Sequence, residues 1–96
     1  MQRKFVVKTS KTFLKEIAKL YPDVALDITK ALKILEISPF PFGKGLIKKL
    51  KGFIPPLYRL RVGDYRVLYR ITGDEVVILR VIDRKELERE LKKMLG

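Results

Sequence analysis

Two Gly-Asp pairs, Gly63-Asp64 and Gly73-Asp74, constrain this chain more than any other feature. Each separates runs rich in β-branched and aromatic residues. Each has the length and chemistry of a tight hairpin turn, because glycine takes positive φ without steric cost. Strands are therefore predicted over Leu57–Val62, Tyr65–Thr72 and Glu75–Ile82, forming a three-stranded antiparallel meander.

The flanking segments supply helices for that sheet. Arg3 to Thr9 reads as a first short strand. Ser10 then caps a helix carrying Phe13, Leu14, Ile17, Ala18, Leu20 and Tyr21 at helical spacing. Tyr21-Pro22 ends it, since the residue before proline avoids helical geometry. A second helix begins at Pro22 or Asp23, places Val24, Ile28, Ala31, Leu32 and Leu35 on one face, and stops before Ser38-Pro39. Residues 39–43 form a loop, and Leu46–Leu50 a further short strand. Asp83, with Glu86 in the capping-box position, is expected to start a last helix with Leu87 and Leu91 on its apolar stripe. The predicted fold is a single α+β domain over residues 1–96: an N-terminal strand and helical hairpin packed on a mainly antiparallel four-stranded twisted sheet, with a C-terminal helix.

Composition removes whole classes of chemistry. There is no cysteine and no histidine, so disulfide frameworks, thiolate nucleophiles and the commonest general base are excluded. No metal-ligand constellation, glycine-rich phosphate loop or nucleophile motif is present. No apolar run reaches the roughly 18–20 residues of a membrane span, and no secretory signal is expected, which points to a soluble cytoplasmic protein. The net charge of +11 calls for a polyanionic partner. A lysine-rich surface of a heat-adapted protein is the bland alternative, since the chain has no asparagine and one glutamine.

The cations are not evenly mixed. Residues 1–51 carry eleven lysines and one arginine, whereas Leu57 to Arg84 contains six arginines and no lysine: Arg59, Arg61, Arg66, Arg70, Arg80 and Arg84. Arginine binds phosphate through a planar fork and keeps its charge when partly desolvated. Strand alternation sets Arg59 with Arg61 on one face, and Arg66 with Arg70 on one face, leaving Tyr58, Tyr65 and Tyr69 for the core. Such a face suits a nucleic-acid backbone. The competing reading pairs these arginines with Asp64 or with Glu86, Glu88 and Glu90 of the last helix. Lys44, Lys48, Lys49 and Lys51 form a second basic patch, readable also as a solvated strand edge.

The stretch Leu57-Tyr58-Arg59-Leu60-Arg61-Val62-Gly63-Asp64-Tyr65-Arg66-Val67-Leu68-Tyr69-Arg70-Ile71 resembles the central hairpin of the RelE/ParE superfamily of toxin–antitoxin toxins. Leu50-Lys51-Gly52 is similar to that family's KLKG element, and Val81-Ile82-Asp83-Arg84-Lys85-Glu86-Leu87 to its terminal HRKEVY motif. The resemblance implies a toxin of the RelE-like, mRNA-interferase branch. Such a toxin cuts mRNA in the ribosomal A site by 2′-OH attack on the adjacent phosphate, without a cofactor. By motif position Arg66 and Arg84 would be catalytic, stabilising phosphate charge. Arg59, Arg61, Arg70, Arg80, Lys49 and Lys51 would bind RNA.

Two departures bear on activity. The family histidine is Asp83 here, and no tyrosine follows Tyr69. Glu88 or Glu90 is the acid/base substitute in this sequence, unless a ribosomal group carries the proton. The alternatives are a ParE-like toxin that inhibits DNA gyrase by contact, and an RNA-binding member without catalysis. The toxin readings imply an acidic antitoxin as partner, with the ribosome and mRNA as targets; no membrane, metal or small-molecule cofactor is expected.

Overall fold

Left-handed glycines make both hairpin turns: Gly63 has φ +56° and Gly73 φ +61°. A computed structural model of the protein describes residues 4–43 and 45–95. The expected strand start at Arg3 and the basic-patch residue Lys44 lie outside the described residues. Along the chain run β1 (Val6–Thr9), α1 (Lys11–Ile17), α2 (Pro22–Ile37), β2 (Ile47–Leu50), β3 (Leu57–Val62), β4 (Tyr65–Thr72), β5 (Glu75–Asp83) and α3 (Leu87–Leu95).

The sheet has five strands, not the expected four, in the order β1-β5-β4-β3-β2. β1 joins it as an edge strand parallel to β5, and the other pairings are antiparallel. A parallel partner needs a long crossover, and the chain from β1 through α1, α2 and the meander provides one. Sequence alternation marks β1 as a strand but says nothing of its partner, which lies about 70 residues away.

Two apolar clusters make a three-layer structure. On one face, Phe13, Ile28 and Leu35 of the helical hairpin close over Ile47, Leu60, Val67, Tyr69, Val76, Ile78 and Val81. Tyr58 and Tyr65 pack against the same cluster, so the tyrosines lie on the core face. Tyr69 is fully buried and its hydroxyl donates to the Pro39 carbonyl at 2.7 Å. Burial holds its phenol well above the usual tyrosine range, with Tyr58 adding to the effect. On the opposite face a smaller cluster of Leu57, Leu68 and Ile82 receives Leu87 and Leu91 of α3. No α3 residue is fully buried, so this helix is the lightly held layer.

One irregularity decides where β5 points its side chains. The β4–β5 register shifts at Leu68/Tyr69: Leu68 pairs with Arg80 and Tyr69 with Ile78, which leaves Leu79 as a bulge. Without that extra residue, Arg80 would follow Val76 and Ile78 into the core by simple alternation. The bulge turns Arg80 outward instead. Its backbone groups are not left unpaired, as burial in a sheet would require. Ser10 Oγ donates to the Leu79 carbonyl at 2.7 Å and accepts from the Phe13 N–H at 3.0 Å as the N-cap of α1. A Glu16 Oε1 accepts from the Val81 N–H at 3.1 Å.

The two ends of the helical layer differ from expectation. α1 stops at Ile17 rather than at Tyr21, and residues 18–20 form a turn before Pro22 starts α2. Asp83 ends β5 and its carboxylate accepts from the Lys85 N–H at 2.8 Å, so it closes a turn and α3 begins later, at Leu87. Glu86 pairs with Arg89 rather than reaching back as a capping box. Among the described residues no helix is long and apolar enough to cross a membrane. Replacing Ser10 by Ala removes a helix cap and a bulge partner together. It is expected to lower the urea unfolding free energy by about 2 kcal/mol, and a loss under half of that would show the bulge carbonyl is satisfied without it.

Candidate nucleic-acid interface

Arg61 and Arg66 are directly opposite one another across the β3–β4 hairpin. Like charges in that relation destabilise a sheet unless a counter-charge sits between them. The Arg61 backbone N–H donates to the Leu46 carbonyl at 2.9 Å, but its guanidinium makes no hydrogen bond or ion pair among the described residues. Arg66 is braced by backbone alone: its Nη1 donates to the carbonyls of Gly63 at 3.0 Å and Tyr65 at 2.9 Å. That leaves the guanidinium plane fixed and its charge uncompensated. Arg59, two residues before Arg61 on the same face, donates through Nη1 to the carbonyls of Gly45 and Leu46, each at 3.4 Å. Arg84 is tied to the hairpin tip: its N–H donates to the Asp64 carbonyl at 2.8 Å and its Nε lies 3.5 Å from Asp64 Oδ1.

The four groups feel each other. Partial burial, then the charges of Arg61 and Arg84, lower the affinity of Arg66 for its proton, while Asp64 and Asp83 act the opposite way. Partial burial, then Arg66 and Arg61, do the same at Arg59. An arginine does not lose its proton at physiological pH, so this strain appears as a demand for an anion. Arg59, Arg61, Arg66 and Arg84 therefore form one electropositive tip, with Asp64 as the only ion-pair partner among the described residues.

Other residues singled out from the sequence are placed elsewhere. Arg80 is ion-paired twice, with Glu16 of α1 at 2.7 Å and Glu90 of α3 at 3.0 Å. Its charge is already matched, so it acts as a tie between helices rather than as an open phosphate donor. Glu90 also meets Lys93 at 3.1 Å. The Lys93 and Arg80 contacts hold its carboxyl below the usual range, which suits a fixed carboxylate and not a general acid. Glu88 lies on the outer side of α3, 89% exposed and 3.9 Å from Lys92. Lys49 pairs with Tyr58 and so shares the side of the sheet facing α1 and α2, whereas Lys48 pairs with Arg59 and adds to the arginine face. Lys51 sits in the turn after β2. Arg70 lies further along the arginine face, half-buried, with a buried Nε that has no acceptor.

Two participants escape sequence reasoning. Lys48 looks like its neighbours until the β2 register is known. Glu16 shares no local pattern with Arg80, 64 residues away.

An α/β/α layering around a meander whose tip carries clustered arginines is the build of a toxin from a type II toxin–antitoxin module. Residues 7–88 match the family described as ParE toxin of type II toxin-antitoxin system, parDE, and the chain belongs to that family within the RelE/ParE superfamily. It is 36% identical over 84 residues to RelE1 of Methanocaldococcus jannaschii, covering 86% of this chain and 92% of that one. Its fold matches RelE in the archaeal RelE–RelB complex from Pyrococcus horikoshii with a TM-score of 0.72 at 32% identity, over 84% of this chain and 96% of that chain. The RelB–RelE antitoxin–toxin complex from Methanococcus jannaschii matches with a TM-score of 0.69 at 29% identity, over 86% of this chain and 96% of that chain.

The Glu16–Arg80–Glu90–Lys93 chain makes a pH prediction. Glu90 has a depressed folded-state pKa, so its contribution is present above the unfolded value of about 4.3 and is lost as pH falls through the folded one. The gap in urea midpoint between wild type and Glu90→Gln is expected to be widest at neutral pH and to close below about pH 4. A gap that is constant with pH would show that Glu90 contributes packing rather than charge.

Proposed function

We propose that this toxin is a ribosome-dependent mRNA endonuclease of the RelE kind, acting in the cytoplasm. The observation that carries the reading is the unneutralised cluster of Arg59, Arg61, Arg66 and Arg84 on one open face. In the proposed reaction the ribose 2′-oxygen attacks the adjacent phosphorus while the bond to the 5′-oxygen breaks. The products are a 2′,3′-cyclic phosphate and a 5′-hydroxyl. Arg66, held by two carbonyls, and Arg84, held by Asp64, stabilise the charge gathering on the phosphorane oxygens. Arg59, Arg61 and Lys48 hold the flanking backbone.

Two protons must also move, one from the 2′-OH and one to the leaving oxygen. Arginine cannot serve, because its pKa exceeds about 12. Glu90 is committed to Arg80 and Lys93. The exposed carboxylate left at the face is that of Asp64, with Glu88 on the outer side of α3 and the ribosome as the other sources. The archaeal relatives were solved as RelE bound to RelB; by that likeness an acidic antitoxin is the partner here, drawn to a chain of net charge +11.

A second reading is favoured by two observations. The matching family is described by the ParE toxin, and the chain lacks both a histidine and any tyrosine after Tyr69. On that reading the same tip grips DNA gyrase and does no chemistry.

Primer extension on a defined mRNA during translation separates the two. Wild type is expected to give discrete cuts within A-site codons, and Arg66→Ala and Arg84→Ala each to slow cleavage by about 10²–10³-fold. Intact mRNA with normal translation, together with loss of supercoiling in a gyrase assay, would replace the nuclease reading with the gyrase one.

A further inference from the structure

Where β2 ends, the surface opens into a groove of about 490 Å³ lined by Lys49, Leu50, Lys51, Gly52, Phe53 and Ile54. It lies beyond the Arg59 end of the arginine face: Leu50 pairs with Leu57, which is two residues from Arg59 and roughly 13 Å of strand from Arg61. Its chemistry is different from that of the tip. The floor is aliphatic and aromatic, the two charges are lysines, and no carboxylate lines it. Neither Lys49 nor Lys51 makes an ion pair among the described residues. Ile54 is 97% exposed, an extreme value for an isoleucine and one that costs solvation without any packing in return. The rim continues onto α3, where Leu95 is 57% exposed. Gly52, at φ +87°, makes the turn there, and a Cβ at that position would stand in ordinary contact, 3.8 Å from Leu95 Cδ2, so α3 borders the groove.

We infer that this groove is a second docking site, for an acidic protein segment that sets one or two apolar side chains against Leu50 and Ile54 and its carboxylates against Lys49 and Lys51. Charge argues for that occupant. A second copy of this chain would bring a further +11 to a basic rim. RNA fits less well for two reasons. Lys49 points to the helical side of the sheet, off any path that follows Arg59 and Arg61. The Phe53 ring is packed against Leu57, Leu68 and Ile82, so it is not free to act as a stacking platform. The identity of the partner rests on the antitoxin reading above; the groove itself does not. An antitoxin holding this groove and the arginine tip together would bind two separated patches of one surface, which raises avidity without new contacts at either.

The test is a selection that needs neither ribosome nor cleavage. A phage library of random 16-residue peptides is panned on the intact chain and depleted on the Ile54→Asp/Lys51→Glu double variant. Ile54 is almost wholly exposed, so the variant is expected to keep the wild-type melting temperature, and a matched melt verifies this. The expected survivors are net acidic with an apolar pair. They should bind each single variant at least 10-fold more weakly than wild type, and bind Arg61→Ala unchanged. No enrichment over the depleted variant, survivors that depend on Arg61, or displacement of survivors by a 12-nucleotide single-stranded RNA would each overturn the assignment. Because the readout is binding at residues 49–54, a chain that fails to cut mRNA can still pass, and one that cuts can still fail.

Discussion

The bulge at Leu79 is the constraint on which the rest of the molecule depends. It changes the parity of β5 partway along, so that Val76 and Ile78 enter the core while Arg80 leaves it. The displaced backbone then needs partners, and α1 brings them: Ser10 at the Leu79 carbonyl and Glu16 at the Val81 N–H. Glu16 also takes Arg80, and Arg80 reaches on to Glu90 of α3. A single inserted residue in the register thus ties β5 and the α3 that follows it to α1, whose Glu16 lies 64 residues before Arg80. It also explains why α3, which buries no residue completely, stays on the sheet: Leu87 and Leu91 rest on a small apolar cluster, and one ion-paired tie holds the helix to the layer behind.

Against that background the arginines divide by what neutralises them. Arg80 has two carboxylates and a structural task. Arg61 has none, and Arg66 has only carbonyls. A cross-strand pair of like charges costs stability, and proteins keep such arrangements where a ligand relieves them. On the proposed function, the hairpin tip is a site held in readiness for phosphate. Its geometry is set before binding, because the carbonyls of Gly63 and Tyr65 fix one guanidinium and Asp64 steers the other. In the proposed reaction this preorganisation would let fixed positive charge act on the phosphate without a histidine.

Much of the fold was legible because its strongest signals are local. The Gly-Asp turns, the alternation along β3 and β4, the Ser10 cap and the Pro22 helix start each express a backbone preference confined to a few residues, and each is where the alternation and propensity place it. The parallel pairing of β1, the Leu79 bulge and the Glu16–Arg80 tie depend on residues about 64 to 70 apart, and no local pattern encodes them. Asp83 shows the opposite limit. Its side chain makes the short-range contact expected of a cap, but to Lys85, two residues on, so the chain turns once more before α3 starts. At the site, alternation paired Arg59 with Arg61 and Arg66 with Arg70, and the β3–β4 register, with Arg61 opposite Arg66, puts both pairs on one surface. It could not tell Lys48 from Lys49, because only the register with β3 decides which of two adjacent lysines shares a face with Arg59.

The claim that the uncompensated arginines, and not positive charge in general, form the polyanion site is open to one direct measurement. A 12-nucleotide single-stranded RNA would be titrated into ¹⁵N-labelled protein while the arginine Nε–Hε signals are followed by NMR. The account predicts saturable shifts at Arg59, Arg61, Arg66 and Arg84, with Arg80 unmoved because Glu16 and Glu90 already hold it. Shifts centred on Arg80, or an arginine spectrum that stays unchanged while the lysine-rich N-terminal half responds, would contradict it.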